Sequence, residues 1–97
     1  MSDRELPAYI KENDDGSLEI TLAKPHVFSG EERAVVNMRE PVVNDQLVAR
    51  KTVNSRDAAA IEMAVFANLC DCAPGDFNQM TQRNYTRIQT AYSLFID

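Results

Sequence analysis

Two short extended stretches, each running into a proline, confine what this chain can fold into. In Leu18-Glu-Ile-Thr-Leu-Ala-Lys-Pro25, Leu18, Ile20 and Leu22 alternate with Ser17, Glu19, Thr21 and Ala23. A period of two with branched residues marks a strand buried on one face. Pro25 is expected to stop it, since proline has no N–H to give a ladder. Val35, Val36 and Met38 fall within Arg33–Arg39, a second strand candidate that Pro41 closes. The expected unit is an antiparallel hairpin joined by residues 24–32, with His26-Val-Phe-Ser-Gly30 in the loop. A lone hairpin is marginal in water, so its apolar face must lie against the rest of the chain.

Beyond Pro41 the sequence reads as helix almost to Asp97. Asn44 or Asp45 is placed to cap a short helix through Lys51, with Leu47 and Val48 as its apolar side. Asn54 and Ser55 then cap a long helix, with Asp57 in its first turn, where the helix dipole favours an acid. Ile61, Val65, Leu69 and Cys72 recur at helical spacing. Met63, Phe66 and Cys70 form a second apolar side, with alanines between. A helix apolar on so much of its circumference is a central one. Ala73-Pro74-Gly75-Asp76 breaks the chain, with Asp76 as a cap and Phe77 and Met80 in a short helical turn. Thr81 or Asn84 starts the last helix. Its stripe of Tyr85, Ile88, Tyr92 and Phe95 is spaced three, four and three residues apart, flanked by Arg83 and Arg87. The fold class is α+β: an N-terminal antiparallel hairpin on about three helices, with a long central helix and an amphipathic C-terminal one. Residues 1–16 read as a flexible polar tail that ends in Asn13-Asp14-Asp15-Gly16, and residues 17–97 as one domain. Tyr9 and Ile10 either add a short strand or lie on the surface.

Ninety-seven residues, 44% hydrophobic, suffice for one modest core. Residues 1–48 carry ten acids and five bases, and residues 49–97 five of each. An acidic chain without a basic cluster argues against nucleic-acid binding, which needs a positive patch to neutralise phosphates. No apolar run reaches the ~18 residues that span a bilayer. The polar Met-Ser-Asp-Arg-Glu start lacks a signal-peptide core, so a cytosolic protein without membrane contact is expected. Cys70 and Cys72, one residue apart, are too close for a comfortable disulfide and too few for a closed zinc site. They read as buried reduced thiols.

The sequence holds little that supports catalysis. His26 is the only histidine and has no partner motif; it reads as a surface or capping residue. Asp14-Asp15-Gly16 lacks the later ligands of a calcium loop and reads as a turn. No phosphate-cradling glycine loop is present. The expectation is a non-enzymatic protein with no cofactor and no metal. Its apolar faces exceed what one small core needs, which points to an interface with a partner or with another copy of the chain.

The order of strand, proline, turn, strand and helix resembles the small tail assembly chaperones of contractile-tailed phages, of the Mu-like and P2-like kind. The resemblance is carried by Leu18–Pro25 with Gly30 following, Met38-Arg-Glu-Pro41 with Asp45, and the apolar run from Glu62 to Leu69. Pro74-Gly-Asp-Phe77 and Arg83-Asn-Tyr-Thr-Arg-Ile-Gln-Thr-Ala-Tyr-Ser-Leu-Phe95 complete it. That family often has an aspartate before the tyrosine of the last helix, where this chain has Asn84, a conservative change with little expected effect on the fold. The resemblance implies a factor in the bacterial host cytoplasm that binds the helix-rich tape measure protein and keeps it soluble. It also implies help in recruiting the tail tube protein and absence from the finished virion. Tyr85, Ile88, Tyr92 and Phe95, with Phe66, are the candidate partner-binding residues, divided between core and partner contact. The competing readings are a small tail or baseplate subunit retained in the particle, and a regulator directed at the host.

Overall fold

The computed structural model describes residues 5–53 and 56–96. Three strands, β1 (Ile10–Glu12), β2 (Leu18–Phe28) and β3 (Glu31–Met38), form one antiparallel sheet in chain order. Three helices follow: α1 (Val43–Val53), α2 (Ala58–Cys70) and α3 (Gln82–Ile96), with a 3₁₀ turn at Pro74–Phe77 before the last. The fold is α+β, as the sequence indicates, with a third strand added to the expected hairpin.

The alternation in β2 has its expected consequence. Leu18, Ile20, Leu22 and Phe28 are buried, and Val36 and Met38 of β3 join them opposite Ile20 and Leu18. These side chains meet Val65, Phe66, Leu69 and Cys70 of α2 and Ile88 and Ala91 of α3 in a single core. α3 packs on β2 and α2 on β3, while α1 lies against α2. β1 contributes Ile10, which is 5% exposed and pairs with Ile20. Of the two alternatives for Tyr9 and Ile10, the strand is the one formed. The Asn13–Gly16 turn leads from it into β2. Asp15 accepts hydrogen bonds there from the Ser17 N–H and hydroxyl at 2.9 and 2.6 Å, and Gly16 takes φ 91°, a left-handed value that suits glycine.

Pro25 does not end its strand. β2 runs on to Phe28, and the hairpin turn is the two-residue pair Ser29-Gly30, both at positive φ, in place of a loop over residues 24–32. Two positive φ values give the turn a twist that matches the strands. Pro25 is tolerated because it sits in an irregular stretch. Between the pairs Thr21↔Val35 and His26↔Arg33, β2 advances five residues while β3 advances two. The residues between them have no paired partner on β3, and a proline is tolerated at such a bulge. The exposed backbone groups of Lys24 are met from α3. Asn84, itself buried, accepts from the Lys24 N–H at 3.1 Å and donates through Nδ2 to the Lys24 carbonyl at 2.7 Å.

The helix caps depart in detail from expectation. Asp45 sits in the first turn of α1 and reaches back to accept from the Val42 N–H at 2.8 Å, so it caps from inside the helix. Asp57 is the N-cap of α2, with its carboxylate accepting from the Ala59 N–H at 3.0 Å. Asn54 and Ser55, expected in that role, lie outside the described residues. Asp71 ends α2 in a left-handed conformation, φ 56°. Thr81 caps α3 through its hydroxyl, which accepts from the Asn84 N–H at 3.2 Å.

Three carboxylates hold loops in place. The guanidinium of Arg39 grips Asp45 at 2.7 and 3.0 Å. Asp76 accepts from the Ala73 N–H, the Ser29 N–H and the Ser29 hydroxyl, tying the 3₁₀ turn to the hairpin tip, where His26 Nε2 also lies 2.6 Å from the Asp76 carbonyl oxygen. Arg39 holds Asp45 below the ordinary carboxylate value of 3.8, the Ala73 amide does so first for Asp76, and Ser17 does so for Asp15. A carboxylate whose folded pKa is depressed contributes stability that is present above its unfolded pKa and lost as pH falls through the folded one. Thermal melts are therefore expected to be flat from pH 7 to about 5 and to fall below about pH 4. Asp45→Asn should make that acid limb shallower; an unchanged limb would contradict this assignment.

Candidate partner-binding surface

The helical side of the molecule carries apolar surface that its own core does not cover. α1 is the clearest case. The residues it turns inward are Asp45 and Ala49, while Val43 and Leu47, one turn apart, are 81% and 54% exposed, with Val42 and Val48 beside them. Leu47 and Val48, the apolar side of this helix, lie at the surface. On the inward side the Asp45 carboxylate bonds Arg39 and the Val42 amide. Val43 and Leu47 are then left largely in water.

α2 and α3 border two grooves. One, of about 400 Å³, is lined by Ala59, Met63, Phe77, Met80 and Tyr85, with Glu62 and Gln89 at its polar edge. The other, of about 270 Å³, lies between α1, α2 and α3 and is lined by Ile61, Val65, Phe66 and Tyr92, with Gln46, Arg50 and again Glu62. Gln46 donates to the Tyr92 hydroxyl at 3.2 Å, which joins α1 to α3 across the second groove. Tyr85 donates to Glu62 at 2.7 Å, and Gln89 donates to the same oxygen at 3.1 Å. Burial, and then the Glu62 carboxylate, push the Tyr85 hydroxyl well above its usual value, so it remains a donor at all physiological pH.

The five residues singled out from sequence divide into two sets. Ile88 and Phe66 are buried in the core, at 0% and 1% exposure. Tyr85, Tyr92 and Phe95 are half-buried and pack on that core from its rim. Phe66 ties the two tyrosines together, with ring centroids 5.7 Å from Tyr85 and 5.3 Å from Tyr92. Tyr85 and Tyr92 thus present one edge to a groove and the other to Phe66. Val43 at the surface and Glu62 at both grooves are features of the structure outside the predicted set. The available signal for Glu62 was that it is the only charged residue in Ala58–Cys70.

The chemistry elsewhere is quiet. Cys70 is buried and Cys72 half-buried, and neither forms a disulfide. Burial, and then the charge of Asp76, push the Cys72 thiol up to about 11, and burial raises Cys70 further. Both are neutral thiols at pH 7, not nucleophilic thiolates. Among the described residues no three His, Cys, Asp or Glu side chains are grouped to hold a metal ion, and no helix is long and apolar enough to cross a membrane.

A family model described as phage tail assembly chaperone proteins, E, or 41 or 14, matches residues 19–97. The chain belongs to that family. No curated protein and no solved structure matches it. In the chaperone, the matched region takes in β2 from its second residue, β3, all three helices and both grooves; β1 lies before it. A role in phage tail assembly gives the uncovered apolar surface a purpose, since apolar patches on a small domain mark contacts with other proteins.

Proposed function

We propose that this chaperone binds the tape measure protein of its phage in the host cytoplasm, keeps it soluble until the tail tube assembles around it, and helps recruit tube subunits. In this reading it leaves before the particle is complete. The observation that carries it is the apolar helical surface described above: the outer face of α1 beside two grooves rimmed by Tyr85 and Tyr92. A long helical protein exposes apolar stripes that aggregate when uncovered. A small acidic domain covers such stripes with apolar surface, and its net charge of −5 keeps the complex in solution. Tyr85, Tyr92 and Phe95 then act at the contact, and Ile88 and Phe66 support them from beneath.

The test separates binding from folding. Val43→Ser combined with Leu47→Ser removes only exposed apolar groups, so the melting temperature should stay within a few degrees of the wild type. Capture of the tape measure protein from the same genome, by the tagged chaperone, should fall at least ~5-fold, since truncated anchors typically cost more than 1 kcal/mol each. Undiminished capture by the double variant would remove α1 from the contact surface.

A further inference from the structure

We propose that Glu62 reads charge on the helix-binding surface, and that the segment it selects is an amphipathic helix with one Lys or Arg set within its apolar stripe. The inference deepens the function proposed above and rests on it for the helical nature of the partner. Glu62 is the single charge in α2 and stands on the ridge between the two grooves, lining both. It is half-buried. Its Oε1 atom accepts from the Tyr85 hydroxyl and from Gln89 Nε2, both uncharged donors. Among the described residues no Lys or Arg pairs with it, the ion pairs there being Arg33–Glu31 and Arg39–Asp45. Arg50 lines one of the same grooves without forming a salt bridge to it. Among those residues, too, Oε2 accepts no hydrogen bond, although an ionised carboxylate has room for about four.

A helix laid across these grooves covers the ridge and takes the carboxylate out of water. Covering it with a wholly apolar stripe buries the carboxylate without an ionic partner, which weakens binding. A stripe that carries a Lys or Arg meets the free Oε2 with a charge-assisted bond while its methylene stem lies along the apolar groove. Glu62 therefore does two things: it favours one class of helix and penalises helices that are only greasy, including those of unrelated host proteins. Tyr85 and Gln89 hold the carboxylate in place before the partner arrives.

The test uses three synthetic amphipathic peptides of about 20 residues, identical except for Lys, Gln or Glu at the centre of the apolar stripe. They are titrated into the wild-type chaperone and into Glu62→Gln, with two-dimensional NMR as the readout. The wild type should bind the Lys peptide at least ~10-fold more tightly than the Gln peptide and the Glu peptide most weakly, with the preference shrinking as salt is added. Glu62→Gln keeps an oxygen for Tyr85 and Gln89 and should bring the Lys and Gln peptides within about 2-fold of each other. Equal binding of the Lys and Gln peptides by the wild type overturns charge reading while leaving the grooves as helix sites. That comparison needs no variant to fold. Binding of none of the three, or shifts confined to residues away from both grooves, overturns the site itself, and co-expression with the tape measure protein then decides the wider reading independently.

Discussion

Phe66→Ala is expected to lower the stability of this domain by about 3–5 kcal/mol, a large share of the ~5–15 kcal/mol available to a fold of this size. Phe66 is 1% exposed and sits where the sheet-facing core meets the groove rim. Its ring lies edge-on to Phe77 at 6.5 Å and tilted against Tyr85 and Tyr92. Truncation leaves a void between α2, α3 and the 3₁₀ turn. It also removes the surface on which both tyrosines are oriented. The melting temperature should fall by roughly 15–30 °C, and partner capture should fail at temperatures where the wild type still binds. A shift of only a few degrees would show that the tyrosines collapse into the space and that Phe66 is less central than its contacts indicate.

Asn84→Asp is expected to cost about 2–3 kcal/mol at pH 7 and much less near pH 4. The Asn84 amide is buried and serves both backbone groups of Lys24, accepting at 3.1 Å and donating at 2.7 Å. A carboxylate keeps the acceptor, loses the donor and turns a negative charge toward a carbonyl oxygen. Burial raises the folded pKa of such a group above its unfolded value of ~3.9. The penalty is then absent below the unfolded pKa, grows as pH rises toward the folded pKa, and is complete above it. Melts of the variant and the wild type should diverge most at pH 7 and converge on acidification. A gap that stays constant with pH would show that the clamp is not desolvated.

The two predictions mark the limits of what could be read from the sequence. The inward face of the sheet was plain in Leu18, Ile20 and Leu22, because a period of two needs only local information. The breaks at Pro74-Gly75 and the stripe of α3 were plain for the same reason. Pro25 does not stop β2 because it falls in a bulge, where the backbone of Lys24 is met by Asn84 sixty residues further along the chain. That exchange looked conservative on paper, yet its amide nitrogen makes the shorter of the two bonds to Lys24. The stripe of Tyr85, Ile88, Tyr92 and Phe95 was found as a stripe, but periodicity names a face without naming its cover. Ile88 points into the core, while the tyrosines sit at the rim. α1 inverted the usual rule: it turns Asp45, paired with Arg39, and Ala49 inward and leaves Val43 and Leu47 exposed.

β1 is held to the helical layer by Arg87, whose guanidinium lies 4.3 Å above the Tyr9 ring and donates to the Thr21 carbonyl at 2.9 Å. The sheet, the bulge and α3 are thus fastened at two separate points, by Arg87 and by Asn84. The grooves lie on the other side of α3, between it and α2. The Arg87 and Asn84 fastenings and the grooves therefore fall on different faces of the same helix.

The most direct measurement is the soluble yield of the tape measure protein expressed with and without this chain in the same cells. The account predicts that the long protein is found in the pellet when made alone and in the soluble fraction, bound to the chaperone, when the two are made together. A tape measure protein that is equally soluble or equally insoluble in both cultures, with the chaperone recovered alone, would contradict it.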